Sequence, residues 1–261
     1  MPRSGKESLI VALDVPTVKS ALDVVNILDN VSFFKVGLQL FLTGELPVLL
    51  EALRQKQLFV DLKVPGDIAN TIGSVVDLCV SMGIKFLTLS ESMPLSAISV
   101  AKFARDKTGS HDPKFLIVPF LSSLDGNDLK ATTEKGDVGS VVINRARTAL
   151  HAGCDGIVVS GQEISLCRKE FPSTIIVSPG IRPAGSSSDD HKRFTTPTEA
   201  IILGADYLVV GRPILSSNNP RQAAAAIISE IDLALQNRDT STNRSSSSTK
   251  RHDLLMSPVH Q

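Results

Sequence analysis

Three charged residues follow an apolar run in the segment FVDLKVPGDIANT, which spans residues 59–71. Asp61 and Lys63 lie two positions apart and therefore share one face of a strand, whereas Asp67 comes after a Pro-Gly pair. A carboxylate beside a lysine holds the ammonium charged and fixes its position. These residue types predict acid–base chemistry or stabilisation of a carbanion, with a purely structural layer of ion pairs as the alternative.

Two more charged residues stand near the ends of earlier apolar runs. Asp14 ends the first run, and Lys35 lies near the end of the second. Neighbouring strands lie about 4.8 Å apart, so side chains at their ends can form one paired network. We expect Asp14, Lys35, Asp61 and Lys63 to meet in such a network, where pairing would offset part of the cost of burying charge.

Two glycine–arginine segments near the end of the chain have the features of a phosphate site. Gly180 precedes Ile181 and Arg182, and Gly211 directly precedes Arg212. Glycine lets the backbone approach phosphate oxygens, and arginine offers a planar fork of donors. The two segments predict a grip for a phosphorylated small substrate, with turn glycines and surface arginines as the alternative.

Eight short apolar runs, rich in Val, Ile, Leu and Phe, would have to position these residues. Their nearly continuous apolar character is typical of parallel strands covered on both faces. Amphipathic segments with apolar residues at three- and four-residue steps lie between them. The runs span residues 8–14, 32–37, 57–63, 85–90, 114–120, 155–160, 174–180 and 206–211.

This alternation predicts an α/β protein with a single (β/α)₈ TIM-barrel domain, and a doubly wound sheet is the alternative. The site of such a barrel lies at the C-terminal ends of its strands, and phosphate commonly binds after strands seven and eight. We expect residues 1–6 to be a flexible N-terminus and residues 7–235 to form the barrel. The polar, Ser/Thr-rich residues 236–261 predict a disordered tail.

The composition limits the classes of partner. The chain is 42% hydrophobic and 21% charged, with a formal net charge of zero, one Tyr and no Trp. This balance argues against a nucleic-acid partner. No apolar run approaches the roughly 20 residues that span a bilayer, so we expect no membrane partner. Three cysteines without CxxC spacing predict buried, reduced thiols in a cytoplasmic protein, with no metal bound.

Along roughly residues 7–235 the sequence resembles the orotidine 5′-phosphate decarboxylase family. The resemblance implies a homodimeric barrel that converts orotidine 5′-phosphate (OMP) to UMP and CO₂ in pyrimidine biosynthesis, without metal or organic cofactor. It is carried by LIVALDVPT (9–17), FKVGLQLF (34–41), FVDLKVPGDIANT (59–71), LSSLDGNDL (121–129), DGIVVSGQEI (155–164), SPGIRPAGSSSDDHKRFTTP (178–197) and DYLVVGRPI (206–214).

The resemblance also implies roles for the matching residues. Lys63 would donate the proton, within a charged array that also contains Lys35, Asp61 and Asp67. Asp14 and Lys35 would bind the ribose hydroxyls.

The remaining matches would contact other parts of the substrate. Ser122 and Ser123 match a pair that contacts the pyrimidine. Thr71, like Asp67, would reach into the site of the partner subunit. The phosphate would be held by residues of the two glycine–arginine segments, Arg182, Gly211 and Arg212.

The sequence departs from the family pattern at four places. The spacing D-x-K-x-x-D becomes D-x-K-x-x-x-D here, and the Pro-Gly turn either absorbs the extra residue or moves Asp67 out of reach of the array. His191 stands where the family has a glutamine that bridges phosphate and base. Ser90 and Glu91 end the fourth strand where a histidine is usual, and Pro119 replaces a threonine.

Two other functions remain open at the level of sequence. A Mg²⁺-dependent sugar-phosphate decarboxylase or aldolase on the same scaffold would use Glu91 as an added metal ligand and would lose activity in EDTA. A non-catalytic nucleotide-binding paralogue would bind UMP without turnover. Retention of both Asp61 and Lys63 argues against the paralogue, because a binding protein has little need for a buried charged array.

Overall fold

The computed structural model of the chain describes residues 4–132, 135–184 and 194–254, with side chains described as far as residue 240 except residue 239. Within these ranges eight parallel strands close into a barrel in the order of the sequence. This confirms the predicted (β/α)₈ barrel and excludes the doubly wound sheet. The strands are β1 (Leu9–Ala12), β2 (Phe33–Gly37), β3 (Gln57–Val64), β4 (Phe86–Ser90), β5 (Lys114–Val118), β6 (Gly156–Val158), β7 (Ile175–Ser178) and β8 (Tyr207–Val210).

Helices surround the barrel and connect consecutive strands. They occupy the amphipathic segments that the three- and four-residue apolar steps predict between the strands. In the described ranges the helices are α1 (Gly5–Ser8), α2 (Val18–Ile27), α3 (Leu38–Phe41), α4 (Leu46–Ala52), α5 (Ala69–Ser81), α6 (Leu95–Asp106), α7 (Gly126–Lys130), α8 (Val138–Ala152), α9 (Ile164–Glu170), α10 (Pro197–Leu203), α11 (Arg212–Leu215) and α12 (Pro220–Leu254), and a 3₁₀ helix covers Gly161–Glu163.

Side chains of each strand alternate between the barrel interior and the surrounding helices. On β2, Phe34 and Val36 pack into the layer between barrel and helices, whereas Phe33 belongs to the interior cluster. Lys35, two positions after Phe33, therefore also points into the barrel. Because both faces of each strand are buried, the strands read as continuous apolar runs in the sequence.

Four aromatic rings form a floor inside the barrel. Phe33, Phe59, Phe86 and Tyr207 contact one another with ring centroids 5.0–5.9 Å apart, mostly edge to face. Such pairs are stabilising beyond the area they bury. Residues two positions further along these strands stand above the floor, at the C-terminal end of the barrel.

Helices lie at both ends of the described chain. Helix α1 begins inside the segment 1–6: Ser4 caps it, and the Gly5 N–H donates to Asp232 Oδ1 at 2.6 Å. Helix α12 continues past residue 235, although Leu235 is the last residue in the described side chains to be buried. The disorder of residues 236–261 stays a prediction, and residues 255–261 lie outside the described part of the chain.

The three cysteines are buried and unbridged, as the sequence predicts. Burial raises the pKa of Cys79 to about 11 and, for Cys154 and Cys167, to about 12. The thiolate, which is the reactive form, is therefore rare near neutral pH. Among the described helices, none is both long enough and apolar enough to cross a membrane.

Candidate active site

A pocket of about 380 Å³ opens at the C-terminal ends of the strands. This is where a (β/α)₈ barrel carries its site, and the volume is within the range of small-molecule sites. Most of the residues predicted to be functional line this pocket: Asp14, Lys35, Asp61, Lys63, Ser122, Gly180, Arg182, Gly211 and Arg212.

Four charged side chains form a continuous chain of ion pairs in this pocket, as the strand-end positions led us to expect. Lys35 Nζ lies 3.2 Å from Asp14 Oδ1 and 3.3 Å from Asp61 Oδ2. Lys63 Nζ lies 2.8 Å from the other oxygen, Asp61 Oδ1. The charges alternate in sign, so each buried charge has an opposite charge beside it. We call Asp14, Lys35, Asp61 and Lys63 the charged array.

The electrostatics of the array keep its two most buried members ionised. Burial alone would lower the pKa of Lys35, but the attraction of Asp61 and Asp14 outweighs it and the pKa lies above the usual 10.5. Burial alone would raise the pKa of Asp61, but Lys35 and Lys63 bring it below the usual 3.8. Both groups are therefore charged across the physiological range of pH.

The backbone that carries the array departs from regular strand geometry. Val60 pairs with Leu87 and Val64 with Leu89, so residues 61–63 of β3 lie opposite the single residue Thr88 of β4. Lys63 adopts a φ of +49°, in the left-handed region that non-glycine residues rarely occupy. Strained backbone of this kind is concentrated at functional sites.

The Pro-Gly pair turns the chain away from the array. Gly66 has a φ of +104°, and a Cβ there would lie 2.7 Å from Pro94 Cδ. Asp67 is exposed, and its Oδ1 accepts a hydrogen bond from the Ile68 N–H at 2.6 Å. In the described part of the chain, Asp67 has no ion pair with the array. Its predicted role at a partner subunit's site stays a prediction.

The first glycine–arginine segment is fixed at the base of its loop. Gly180 has a φ of +74°, and the Arg182 N–H donates to Thr195 O at 2.9 Å. Arg182 is only 6% exposed, yet it lines the pocket. An arginine buried at the wall of a pocket is suited to bind a phosphate by a pair of parallel hydrogen bonds.

The second glycine–arginine segment lies beside the array. Gly211 caps α11, and a Cβ at this position would lie 3.6 Å from both Ala12 Cβ and Asp14 Oδ2. Arg212, the first residue of α11, lines the pocket. The structure therefore brings both predicted phosphate segments to the same pocket as the array.

Two other predicted residues, both described by the structure, are not brought into the pocket. Ser123 and Thr71 are exposed and do not line it, although Ser122 does. His191 lies outside the described residues. Glu91 accepts a hydrogen bond from Ser90 Oγ at 3.0 Å and lines a separate pocket of about 300 Å³ beside α6 and α8.

Glu91 is therefore not placed to join the charged array as a metal ligand. Among the described residues, no group of three His, Cys, Asp or Glu side chains is arranged to hold a metal ion.

Sequence reasoning missed several residues of the pocket and its surroundings. Thr88 donates to Asp61 and accepts from the Lys63 backbone, and Ser160 lines the pocket while it donates to the buried Glu163. The signal for Thr88 was present, because it lies two positions after the inward-facing Phe86. Apolar walls that were not predicted are supplied by Phe59, Val118, Phe120, Val158 and Val209.

Comparison with known proteins is consistent with this geometry. The family model "Orotidine 5'-phosphate decarboxylase / HUMPS family" matches residues 7–227. The orotidine 5′-phosphate decarboxylase of Rhodopseudomonas palustris strain BisB5 is 42% identical over 231 residues, which cover 87% of this chain and 96% of that protein. The corresponding protein of Afipia carboxidovorans is 42% identical over 236 residues, with 89% and 98% covered.

Solved structures have the same fold. The crystal structure of orotidine 5′-phosphate decarboxylase from Lactobacillus acidophilus matches with a TM-score of 0.73 at 29% identity, covering 86% of this chain and 98% of that one. An uncharacterized conserved protein from Geobacillus kaustophilus matches with a TM-score of 0.72 at 24% identity, covering 85% and 99%. At that identity the second match shows the fold alone.

Proposed function

Since this chain belongs to the orotidine 5′-phosphate decarboxylase / HUMPS family, we propose that it decarboxylates OMP to UMP and CO₂ in pyrimidine biosynthesis. The observation that carries the proposal is the charged array, which shares one pocket with Arg182 and Arg212. Such a pocket offers a phosphate grip together with a fixed ammonium. Decarboxylation of a nucleoside monophosphate uses both features, the first to hold the phosphate and the second to stabilise the charge left when CO₂ departs.

Binding follows from the residues around the pocket. Arg182 and Arg212 would hold the phosphate, helped by the backbone at Gly180 and Gly211. Because the phosphate is remote from the bond that breaks, its binding energy can hold the reacting end of the substrate against the array. Asp14 and Lys35 would bind the ribose hydroxyls, and Ser122 and Ser123 the pyrimidine. His191 would bridge phosphate and base.

The chemistry centres on Lys63. The bond between C6 and the carboxylate carbon breaks, CO₂ leaves, and the electron pair stays on C6. The Lys63 ammonium, held 2.8 Å from Asp61, would stabilise this developing charge and then transfer a proton from Nζ to C6. Its side chain is 40% exposed, so solvent can return the proton. The negative charge of Asp61 would also repel the substrate carboxylate and so raise the free energy of the bound substrate before CO₂ leaves. These steps use side chains alone, without metal or organic cofactor.

The protein is proposed to act as a cytoplasmic homodimer in which Asp67 and Thr71 reach the partner's site. Large exposed apolar side chains support this arrangement, since exposed apolar patches mark interaction surfaces. Ile68, the residue after Asp67, is 70% exposed, and Leu42, the C-cap of α3, is 73% exposed.

Lys63→Ala tests the mechanism. We expect kcat for OMP, followed at the pyrimidine absorbance near 285 nm, to fall by at least about 10³-fold, because both proton transfer and charge stabilisation are lost. Lys107→Ala, which removes a lysine paired with Asp77 on the outer helices, should leave kcat unchanged.

The outcomes separate the candidate functions. Wild-type activity that survives EDTA fits the proposal, whereas loss of activity in EDTA indicates the Mg²⁺-dependent alternative. UMP binding without any turnover by the wild type would indicate the non-catalytic paralogue. Undiminished turnover by Lys63→Ala would remove Lys63 from the mechanism.

A further inference from the structure

We propose that Thr88 is a positioning residue for the reaction: its hydroxyl fixes the Asp61 carboxylate and the Lys63 backbone in the geometry that presents the Lys63 ammonium to the substrate. The inference rests on the proposed decarboxylation. It concerns a side chain that does not line the pocket and therefore acts through its neighbours.

The hydroxyl of Thr88 joins the two residues by both of its hydrogen-bonding functions. Thr88 Oγ1 donates to Asp61 Oδ1 at 2.9 Å and accepts from the Lys63 N–H at 2.9 Å. The same Asp61 oxygen accepts from Lys63 Nζ at 2.8 Å. A closed ring of hydrogen bonds therefore runs from the Lys63 backbone through Thr88 and Asp61 to the Lys63 ammonium.

The backbone of Lys63 needs this support. Residues 61–63 lie opposite the single residue Thr88, so the Lys63 N–H bonds to a side chain where regular strand pairing would use a carbonyl. The φ of +49° is unfavourable for lysine, and such a conformation persists only where the surroundings hold it in place. Thr88 is 0% exposed, so water cannot substitute for its hydroxyl.

The choice of residue type supports a role for the hydroxyl itself. Valine has nearly the same shape as threonine and suits a buried strand equally well. The neighbours of Thr88 in β4 include the apolar Phe86, Leu87 and Leu89. Replacement by valine would leave the Lys63 N–H without its partner and remove one donor from Asp61, which are costly losses in a dry environment.

The test compares Thr88→Val with Thr88→Ser. In Thr88→Val we expect kcat to fall about 10²-fold, because small misplacement of a reacting group has effects of this order. The KM for OMP and the affinity for UMP should change by less than about threefold, since phosphate binding is untouched. Thr88→Ser keeps the hydroxyl and should recover most of the lost kcat.

The pH profile supplies a second readout. The Thr88 hydrogen bond is one of the contributions that lower the pKa of Asp61. Its loss raises that pKa, so the acid limb of the kcat profile should move to higher pH in Thr88→Val and return in Thr88→Ser. A merely structural role for Thr88 would not move this limb.

Amide hydrogen exchange at Lys63 reports on the same contact without requiring turnover. Exchange should accelerate in Thr88→Val but not in Thr88→Ser. This readout stands even if the wild type fails to decarboxylate OMP, which would overturn the proposed function separately. Thr108→Val is the matched control, because Thr108 also donates to one group and accepts from one N–H, but outside the pocket.

Two results would overturn the positioning role. One is a folded Thr88→Val whose kcat and Lys63 exchange match the wild type. The other is Thr88→Ser as impaired as Thr88→Val, which would assign the effect to packing. If Thr88→Val does not fold, Thr88→Cys replaces it, because its thiol is only a weak donor and acceptor and the cysteine side chain is intermediate in size between serine and threonine.

Discussion

Lys35 is the most deeply buried charge of the array, and its surroundings explain why it can remain there. Its side chain is 10% exposed, between carboxylates at 3.2 and 3.3 Å. Removal of one partner of a buried pair leaves a charge without compensation, which typically costs about 3–5 kcal/mol. Substitution of Asp61 therefore threatens both stability and chemistry, whereas the more exposed Lys63 can be replaced with less effect on folding.

Arg212 allows a test of the phosphate grip that leaves the array intact. Arg212→Ala should raise the KM for OMP by roughly 10- to 100-fold, because hydrogen bonds between charged groups contribute about 1.5–3 kcal/mol. Turnover of orotidine, which lacks the phosphate, should be unchanged by this substitution.

The orotidine comparison decides the assignment of Arg212. If Arg212→Ala impaired OMP and orotidine equally, Arg212 would not be a phosphate ligand. Arg147→Ala, at an arginine paired with Glu170 outside the pocket, is the control for loss of a positive charge.

At this scale the sequence predicted the charged residues well because their positions follow from strand periodicity. Asp14, Lys35 and Asp61 stand where strands end, and barrel closure brings such ends together. Thr88 was missed, because the strand period shows only that it faces the barrel interior, whereas its hydrogen bonds to Asp61 and Lys63 depend on the irregular pairing of β3 with β4. The separation of Asp67 from the array was not predictable, because it depends on the direction in which the Pro-Gly turn leaves the strand.

At the scale of elements, β3 differs from its neighbours. The pairing of β2 with β3 and that of β4 with β5 keep a regular register. The pairing of β3 with β4, in contrast, shifts between Val60 and Val64. The irregularity raises no signal in an apolar pattern, so the sequence predicted eight similar strands. Its effect is to place Asp61 and Lys63 together at the pocket, after which Gly66 turns the chain toward α5.

Gly66→Ala should disturb this turn. A side chain at a φ of +104° is strained, and its Cβ would lie 2.7 Å from Pro94 Cδ. We expect the free energy of unfolding to fall by more than the roughly 1–2 kcal/mol that the left-handed conformation alone costs a non-glycine residue. Urea unfolding of the wild type and the variant measures the difference.

Substitutions at two other glycines separate the cost of the left-handed conformation from the cost of the contact with Pro94. Gly83 has a φ of +66° with nothing within 4 Å of an added Cβ, so Gly83→Ala should show the conformational cost alone. Gly73 lies inside α5 with open space around it, and Gly73→Ala should stabilise the protein by about 0.5–1 kcal/mol. Equal losses for Gly66→Ala and Gly83→Ala would show that the contact with Pro94 is relieved without cost.

At the scale of the whole molecule, the proposed homodimer would complete the site with residues of a second subunit. The array and the phosphate segments share one pocket, but Asp67 and Thr71 are exposed and do not line it. The barrel was predictable from eight repeated units, whereas the arrangement of subunits leaves no periodic signal in the sequence. In a dimer with two-fold symmetry, each subunit would give Asp67 to its partner and receive the partner's in return.

Mixing two inactive variants tests this exchange. Lys63→Ala damages a subunit's own site, whereas Asp67→Ala would damage the site of its partner. A mixed dimer then contains one site with both defects and one intact site. Random reassociation makes about half of the dimers mixed, so about a quarter of wild-type activity should return. If Asp67 acted within its own subunit, no mixed dimer would have an intact site and activity would stay absent. Lys63→Ala mixed with Asp61→Ala is the control, because both changes fall in the array of the same subunit and should not complement.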